Sequence, residues 1–280
     1  MASAGAEDPI IASLSIMRRM PPNKIEQNLS GLLNLIPDQT DELLQRVDQP
    51  LQEATCGQTG RPFLLCDYNR DGDSYRSPWS NQYDPPIDDG FTPSEALRQM
   101  EIDANSLYDS YRDQYYEGGT SSVYLWDLDD GFAGCFLIKK SVEGHAFVSA
   151  GSWDSIHVVE VTEKGGGQAT YKLTSTLLLS MGVNKAAVGD SNLSGCMTKQ
   201  KEMTCEVTAV RPHTTNMGTM IEDMEIELRS NMDSLYISKT REIVSSMRNM
   251  RLRAPVQGAN FTNSLNQAVL GHGAKKLPMP

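Results

Sequence analysis

The chain has 280 residues, of which 39% are hydrophobic, so it can bury a sizeable core and is predicted to be a folded, soluble protein. Its net charge of -11 argues against nucleic acid or an anionic membrane as the main partner, because either would require a basic surface. Five cysteines without a CxxC pair, no signal peptide and no long apolar run predict a cytoplasmic protein with reduced thiols and no transmembrane segment.

Residues 1–51 predict a helical stalk. Apolar residues from Ile10 to Val47 recur at helical spacing in three segments, which prolines at positions 21, 22, 37 and 50 separate. Thr40 or Asp41 is a plausible cap for the third helix. We therefore expect three short helices that pack against one another or against a partner.

Residues 52–119 predict a loop-rich globule with one helix, and the run Leu65–Asn81 within it imitates the start of an EF-hand. Three oxygen-bearing residues stand at ligand positions 1, 3 and 5 of that pattern: Asp67, Asn69 and Asp71. Pro78 stands at position 12, where a calcium loop needs a bidentate Glu. We interpret the run as an Asx-turn-rich surface loop that binds no metal. The helix, with apolar positions from Leu97 to Tyr111, is expected to end at Gly118 and Gly119.

Residues 120–210 predict an antiparallel sheet, because the apolar period changes to two. Five strands are expected: Val123–Leu128, Phe132–Lys139, Ile156–Val161, Thr170–Leu179 and one within Asn192–Val207. Asp130-Gly131 fits the tight turn of the first hairpin. Tyr171 and Leu173 alternate with Thr170 and Lys172, which predicts a meander with one dry face.

Residues 211–253 carry the longest helical signal, an apolar stripe from Met217 to Met250 that Pro212 precedes. About 38 helical residues would span roughly 57 Å, whereas five strands make a sheet only about 25 Å wide. One subunit does not offer enough surface for such a helix. This mismatch favours an obligate dimer that shares a continuous sheet, with a coiled-coil partnership as the alternative.

Residues 254–280 predict a short amphipathic tail. Phe261, Leu265, Ala268 and Val269 form one apolar stripe on a helix too short to persist alone in water. It either folds back on its own core or enters the groove of a partner. A basic cluster before the tail, Arg248, Arg251 and Arg253, is interpreted as a solvated helix end rather than a binding site.

Motifs of catalysis are weak throughout the sequence. Asp127-Leu128-Asp129 resembles the start of a haloacid-dehalogenase-type phosphatase, but Gly131 stands where that pattern wants Thr or Val, and hairpins follow instead of βαβ units. Trp126-Asp127 and Trp153-Asp154 are 27 residues apart, too close for propeller blades of about 40 residues. The four histidines form no recognisable triad or metal motif. We therefore predict a non-enzymatic binding protein without cofactor or metal.

The run from Leu65 to Pro86 closely resembles the beta-subunit family of the heterodimeric F-actin capping protein. The resemblance extends over about residues 10–248 through further short motifs: Met17–Pro22, Val47–Leu51, Glu117–Gly119, Ser121–Trp126, Phe132–Gly134, Trp153–Val161, Tyr171–Thr176 and Glu222–Glu225. It implies an α+β fold with an N-terminal three-helix stalk, a five-stranded antiparallel sheet shared with a partner subunit, a long C-terminal helix over the sheet and a short C-terminal "tentacle".

The resemblance also implies a function. The expected partner is an F-actin-capping protein alpha subunit, and the heterodimer is expected to block subunit exchange at the barbed ends of actin filaments, without calcium and without severing. By position, the tentacle would contact actin through its apolar and basic residues: Phe261, Leu265, Ala268, Val269, Leu270, Lys275 and Lys276. The expected location is the cytoplasm and cytoskeleton, with capping-protein regulators and dynactin as further partners.

Two alternatives remain open at this point. Pro255, Gly258, Gly271 and Gly273 interrupt the tail more than the resemblance implies, so the alpha subunit could supply more of the affinity for actin. The same heterodimer could also act as a scaffold that caps an actin-related filament in a dynactin-like complex.

Overall fold

Three short helices begin the chain in the computed structural model, which describes residues 9–17, 20, 24–143, 150–185 and 189–253. They are α1 (Pro9–Met17), α2 (Ile25–Leu35) and α3 (Thr40–Arg46). Their apolar stripes bury Met17, Ile25, Leu29 and Leu43 in one core. The stalk of three short helices is confirmed.

Small sheets and one helix follow. Strands β1 (Gln52–Thr55) and β2 (Pro62–Leu65) form a hairpin, and β3 (Arg70–Asp71), β4 (Ser74–Arg76) and β5 (Tyr83–Asp84) form a three-stranded sheet. Helix α4 (Glu95–Tyr116) ends where Glu117 takes a left-handed conformation, followed by Gly118 and Gly119 with positive φ. The predicted glycine stop of this helix is confirmed.

The main sheet has five antiparallel strands in the order β10-β9-β8-β7-β6. Their bounds are β6 (Thr120–Leu128), β7 (Gly131–Glu143), β8 (Ala150–Lys164), β9 (Gln168–Lys185) and β10 (Gly189–Glu206). Each predicted strand is present, and most are longer than the alternation indicated. Gly131 closes the first hairpin, and a Cβ there would lie 2.1 Å from the carbonyl oxygen of Val161 on β8. The close approach of two backbones therefore requires glycine.

Both faces of this sheet are covered, which corrects the expectation of a single dry face. On one face, Val159, Tyr171 and Leu173 pack with α4 and with α5 (His213–Asp233). On the other face, Leu137 and Leu178 pack with the stalk helices and β2. Thr176, which shares the predicted wet face with Thr170 and Lys172, is 2% exposed. The wet face was inferred from local alternation alone, and that pattern does not show that the stalk folds back over it.

Helix α5 packs on the sheet through a methionine-rich stripe. The buried side chains recur at steps of three and four: Met217, Met220, Ile221, Met224 and Leu228. Residues 1–228 form one compact unit and residues 229–280 a second. Within the second unit, the end of α5 leads into a π-helical turn (Ser234–Ser238) and then into α6 (Lys239–Arg253). The long C-terminal helical segment is confirmed, with this turn as an added feature.

Candidate functional site

The predicted actin-contacting residues of the tentacle lie outside the described residues. This holds for the whole set: Phe261, Leu265, Ala268, Val269, Leu270, Lys275 and Lys276. Their role stays a prediction. The described residues offer a different candidate, which is a surface for a partner subunit on the main sheet.

The two edges of the main sheet differ. Strand β10 pairs with β9 along its whole length from Gly189 to Glu206, and no strand among the described residues pairs with its other side. An open strand edge carries a row of backbone donors and acceptors that favours pairing with another strand. An 18-residue edge strand is long by the standard of globular proteins. This edge is therefore the candidate partner interface.

The opposite edge, β6, is closed by side chains of α4. The side-chain amide of Asn105 accepts a hydrogen bond from the Val123 amide and donates one to the Val123 carbonyl, both at 2.9 Å. The Glu101 carboxylate accepts the next outward N–H, from Leu125, at 2.7 Å. These bonds occupy three of the backbone groups that an incoming strand would need. A further strand can therefore pair with the sheet at β10 more readily than at β6.

Glu101 also anchors the EF-hand-like run through a buried ion pair. The Arg76 guanidinium donates to both oxygens of Glu101 at 2.8 Å, and the two side chains are 2% and 0% exposed. Arg98 pairs with the same carboxylate and donates to the Pro78 carbonyl at 2.7 Å. The run is thus a partly buried structural element, and its interpretation as a surface loop was wrong for residues 74–78.

Asn69 has a structural role in this run. Its side-chain oxygen accepts the Cys66 amide, and its side-chain nitrogen donates to the Arg76 carbonyl, both at 2.9 Å. The amide that would be the second ligand of a calcium loop is therefore committed to the backbone. Among the described residues, no group of three His, Cys, Asp or Glu side chains is placed to hold a metal ion.

Asp127, the residue that resembled a phosphatase nucleophile, holds the start of α4. Its carboxylate accepts hydrogen bonds from the backbone amide and from the hydroxyl of Ser94, both at 2.8 Å. Ser94 is the residue that precedes α4. Both carboxylate oxygens are therefore engaged in tying the helix to the end of β6.

A buried polar cluster ties α5 to the sheet and to α4. Glu225 of α5 accepts hydrogen bonds from the hydroxyls of Tyr111, at 2.8 Å, and Tyr116. His157 of β8 lies 3.0 Å from Glu225 and 2.8 Å from the Ser175 hydroxyl of β9. His157 is fully buried, so its role is to position α5 over the sheet, as expected of a sheet residue.

Sequence reasoning missed Glu101 and Glu225, although a signal was present for both. Each carboxylate stands inside an apolar helical stripe, Glu101 between Leu97 and Ala104 and Glu225 between Ile221 and Leu228. A charged side chain at such a position is either buried together with hydrogen-bonding or ionic partners or belongs to a functional site. Which of these applies depends on residues that are distant in sequence.

A groove of about 490 Å³ lies between the stalk and β8–β10, on the sheet face that the stalk covers. Its lining includes Met17, Asp48, Tyr68 and Lys172. Burial raises the pKa of Asp48, and a hydrogen bond from Thr176 offsets only part of that effect. The groove therefore contains one carboxyl group whose negative charge is destabilised by its surroundings.

Comparisons with known proteins agree with this architecture. The family described as "F-actin capping protein, beta subunit" matches residues 10–244. F-actin-capping protein subunit beta from Drosophila melanogaster is 50% identical over 265 residues, which are 94% of this chain and 96% of the relative. The subunits of the same name from Caenorhabditis elegans and Dictyostelium discoideum are 48% and 45% identical, and each match covers 95% of this chain and 99% of the relative.

A solved structure supports the fold. It is described as homodimeric actin capping protein alpha subunit from Plasmodium berghei, and it matches with a TM-score of 0.53 over 87% of this chain and 95% of that one. At 17% sequence identity, the likeness concerns the fold alone. The five-stranded sheet and its helices therefore form the fold of an actin-capping subunit. The family match over residues 10–244 shows which subunit this is: the chain belongs to the F-actin capping protein beta-subunit family.

Proposed function

We propose that this chain pairs with an F-actin-capping protein alpha subunit, and that the heterodimer binds the barbed ends of actin filaments and blocks the gain and loss of subunits. The observation that carries the proposal is the near-complete match to subunits of that name from an insect, a nematode and an amoeba. The proposed activity is non-enzymatic, independent of calcium and without severing. Such an activity belongs to the cytoskeleton, in the cytoplasm.

The sheet edges support the pairing with a second subunit. Side chains of Glu101 and Asn105 occupy three backbone groups of β6, at Val123 and Leu125, whereas β10 presents a long edge to a further strand. Addition of the partner's sheet at β10 would bury this edge and would extend the sheet on which α5 packs. In the described part of the chain, every helix is too short or too polar to span a bilayer.

The tail is the proposed contact with actin. Phe261, Leu265, Ala268 and Val269 would place an apolar stripe in a groove of a terminal actin subunit, with Leu270 as a further apolar contact. Lys275 and Lys276 would contribute more to the rate of encounter with an acidic surface than to the lifetime of the complex. The proposal rests on the resemblance to the family and on the helical spacing of Phe261, Leu265, Ala268 and Val269.

The test is elongation of fluorescent actin from preformed seeds, with the chain co-expressed with its alpha subunit, in calcium and in chelator. We expect inhibition at nanomolar concentration in both buffers. Inhibition that requires calcium, or an increase in the number of filament ends, would contradict the proposal. No inhibition by a well-folded heterodimer would favour a scaffold role in a complex with an actin-related filament.

The tail assignment has its own variant and a matched control. Leu265→Asp with Val269→Asp places two charges on the apolar stripe, and we expect capping affinity to fall at least tenfold, since burying each unpaired charge is costly. Asn263→Asp with Gln267→Asp adds the same charge on the opposite side of the predicted helix and should retain capping. Equal affinities for the two variants would show that this stripe does not bind actin. Co-purification with the alpha subunit checks that both variants assemble.

A further inference from the structure

Two cysteines from distant parts of the sequence meet between β2 and the main sheet. Strand β2 lies across the sheet at β6, where the Leu64 amide donates to the Ser122 hydroxyl at 2.9 Å and the Tyr124 hydroxyl donates to the Leu64 carbonyl at 2.6 Å. Both bonds are buried. They hold the end of β2 directly over the β6–β7 pair.

The backbone then directs Cys66 toward the sheet. It remains extended at Cys66, so this side chain lies on the same side of the strand as that of Leu64, two residues earlier. The Cys66 sulfur also accepts a hydrogen bond from the Asn69 amide, and the Asn69 side chain accepts the Cys66 amide in return. This reciprocal pair of bonds fixes where the Cys66 thiol sits, next to the core cluster that contains Cys135.

Cys135 supplies the second thiol from β7. It lies opposite Tyr124 in the β6–β7 register, on the face that β2 covers. Cys66 packs against the buried cluster that contains Cys135, and after burial itself its proximity further raises the pKa of the Cys135 thiol. Cys135 is fully buried, whereas Cys66 is partly exposed to solvent.

We propose that Cys66 and Cys135 form a reversible intramolecular disulfide that links the end of β2 to the centre of the main sheet. The oxidant is a low-molecular-weight disulfide such as glutathione disulfide. The Cys66 thiolate attacks one sulfur of the oxidant, a mixed disulfide forms, and one glutathione thiolate leaves. The Cys135 thiol then loses its proton to solvent and attacks the Cys66 sulfur. The second glutathione leaves, so two protein thiols are oxidised and one disulfide is reduced.

The exposure of the two thiols sets the order of these steps. Cys66 is the thiol that a solvent-borne oxidant can reach, and Cys135 can react only with a sulfur already held beside it. Burial raises the pKa of the Cys135 thiol, which slows the second step because the thiolate is the nucleophile. Formation over minutes to hours is therefore expected. A disulfide of this kind in a reducing compartment would act as a response to oxidation.

The other cysteines offer matched controls. Cys196 lies on β10, three strands from β7 and so about 14 Å away across the sheet. The Cys56 thiol donates to the Ser80 hydroxyl at 3.4 Å, and hydrogen bonds from hydroxyl groups outweigh its burial and lower its pKa to about 6. If thiol pKa alone decided which cysteine reacts first, Cys56 would react before Cys66. Reactivity set by pKa therefore predicts a product at Cys56, whereas exposure and position predict a product at Cys66.

The experiment treats the full chain, co-purified with its alpha subunit, with glutathione disulfide at pH 7.5 and identifies products by non-reducing peptide mass spectrometry. We expect a Cys66–Cys135 linked peptide, about 2 Da lighter than the sum of the two reduced peptides, that dithiothreitol separates. Cys135→Val should stop at a glutathione adduct on Cys66. Cys66→Ser should leave Cys135 unmodified, and Cys56→Ser and Cys196→Ser should still form the link.

Three results would overturn the proposal. The wild-type chain could accumulate the same Cys66 adduct as Cys135→Val, which would show that the buried thiol does not displace glutathione. Cys66 could instead be linked to Cys56 or to Cys196. The linked peptide could also form only after unfolding in urea, which would show that the folded geometry does not bring the sulfurs together.

Discussion

The buried pair between Arg76 and Glu101 provides the sharpest test of how the EF-hand-like run is held. Glu101→Gln keeps the shape of the side chain but leaves the Arg76 guanidinium, which is 2% exposed, without a carboxylate. Removing one partner of a buried ion pair typically costs about 3–5 kcal/mol. This is a large part of the roughly 5–15 kcal/mol that stabilises a typical domain.

The reverse substitution should cost less. In Arg76→Met, Glu101 still pairs with Arg98 and still accepts the Leu125 amide at 2.7 Å. No unpaired buried charge remains in that variant. The double variant Arg76→Met with Glu101→Gln should therefore be more stable than Glu101→Gln alone, although it carries one more substitution.

The assay is urea unfolding of the heterodimer, compared through transition midpoints because the complex is not a single two-state domain. The matched control is Glu160→Gln, which removes the partner of Lys172 in a pair whose side chains are 53% and 51% exposed. That change should cost no more than about 1 kcal/mol. The reasoning fails if Glu101→Gln shifts the midpoint no more than Glu160→Gln does, or if the double variant is the least stable of the set.

Three further predictions concern stability. Burial raises the pKa of Asp48 above its ordinary value of 3.8, so the folded chain binds this proton more tightly than the unfolded chain and loses stability as pH rises through the folded pKa. Asp48→Asn should stabilise the protein at pH 7 and should stabilise it less at pH 4. Equal stabilisation at both pH values would refute the explanation that the charged Asp48 carboxylate destabilises the fold. Gly131→Ala should cost about 2 kcal/mol by thermal unfolding, because a Cβ meets a carbonyl of β8, whereas Gly165→Ala, with open space around it, should cost little. Asp127→Ala should cost about 1 kcal/mol through its two lost hydrogen bonds at the start of α4 and should leave phosphatase activity at background, and activity that requires Asp127 would contradict its structural role.

Local patterns in the sequence were sufficient to predict the main helices and the five strands of the main sheet, but not the short strands β1 to β5. The helical stripes of the stalk, the glycine stop after α4 and the Asp130-Gly131 hairpin all depend on neighbours within a few residues, and each is present. Strand ends were harder to predict. Strand β8 begins at Ala150 and not at Ile156, because its first residues extend the ladder without clear apolar alternation.

Residue spacing indicated the apolar stripe of the tail, and the family resemblance assigned the contacts with actin from Phe261 to Lys276. These stay a prediction because they lie outside the described residues. The resemblance in residues 10–248 predicted the family correctly, and the match over residues 10–244 confirms it. The division of the chain into a stalk, globule, sheet, long helix and tentacle likewise stays a prediction.

The sequence by itself determined the apolar periodicities of the helices and strands, the net negative charge and the motifs that identify the family, because these depend only on residue types and their order. Only the tertiary structure decided that both faces of the sheet are covered, that Glu101 bonds to one sheet edge and that Cys66 packs against the cluster containing Cys135. Each of these features joins residues at least 24 positions apart. Such contacts depend on how the elements pack together, and the periodicity of apolar residues within one element does not indicate that packing.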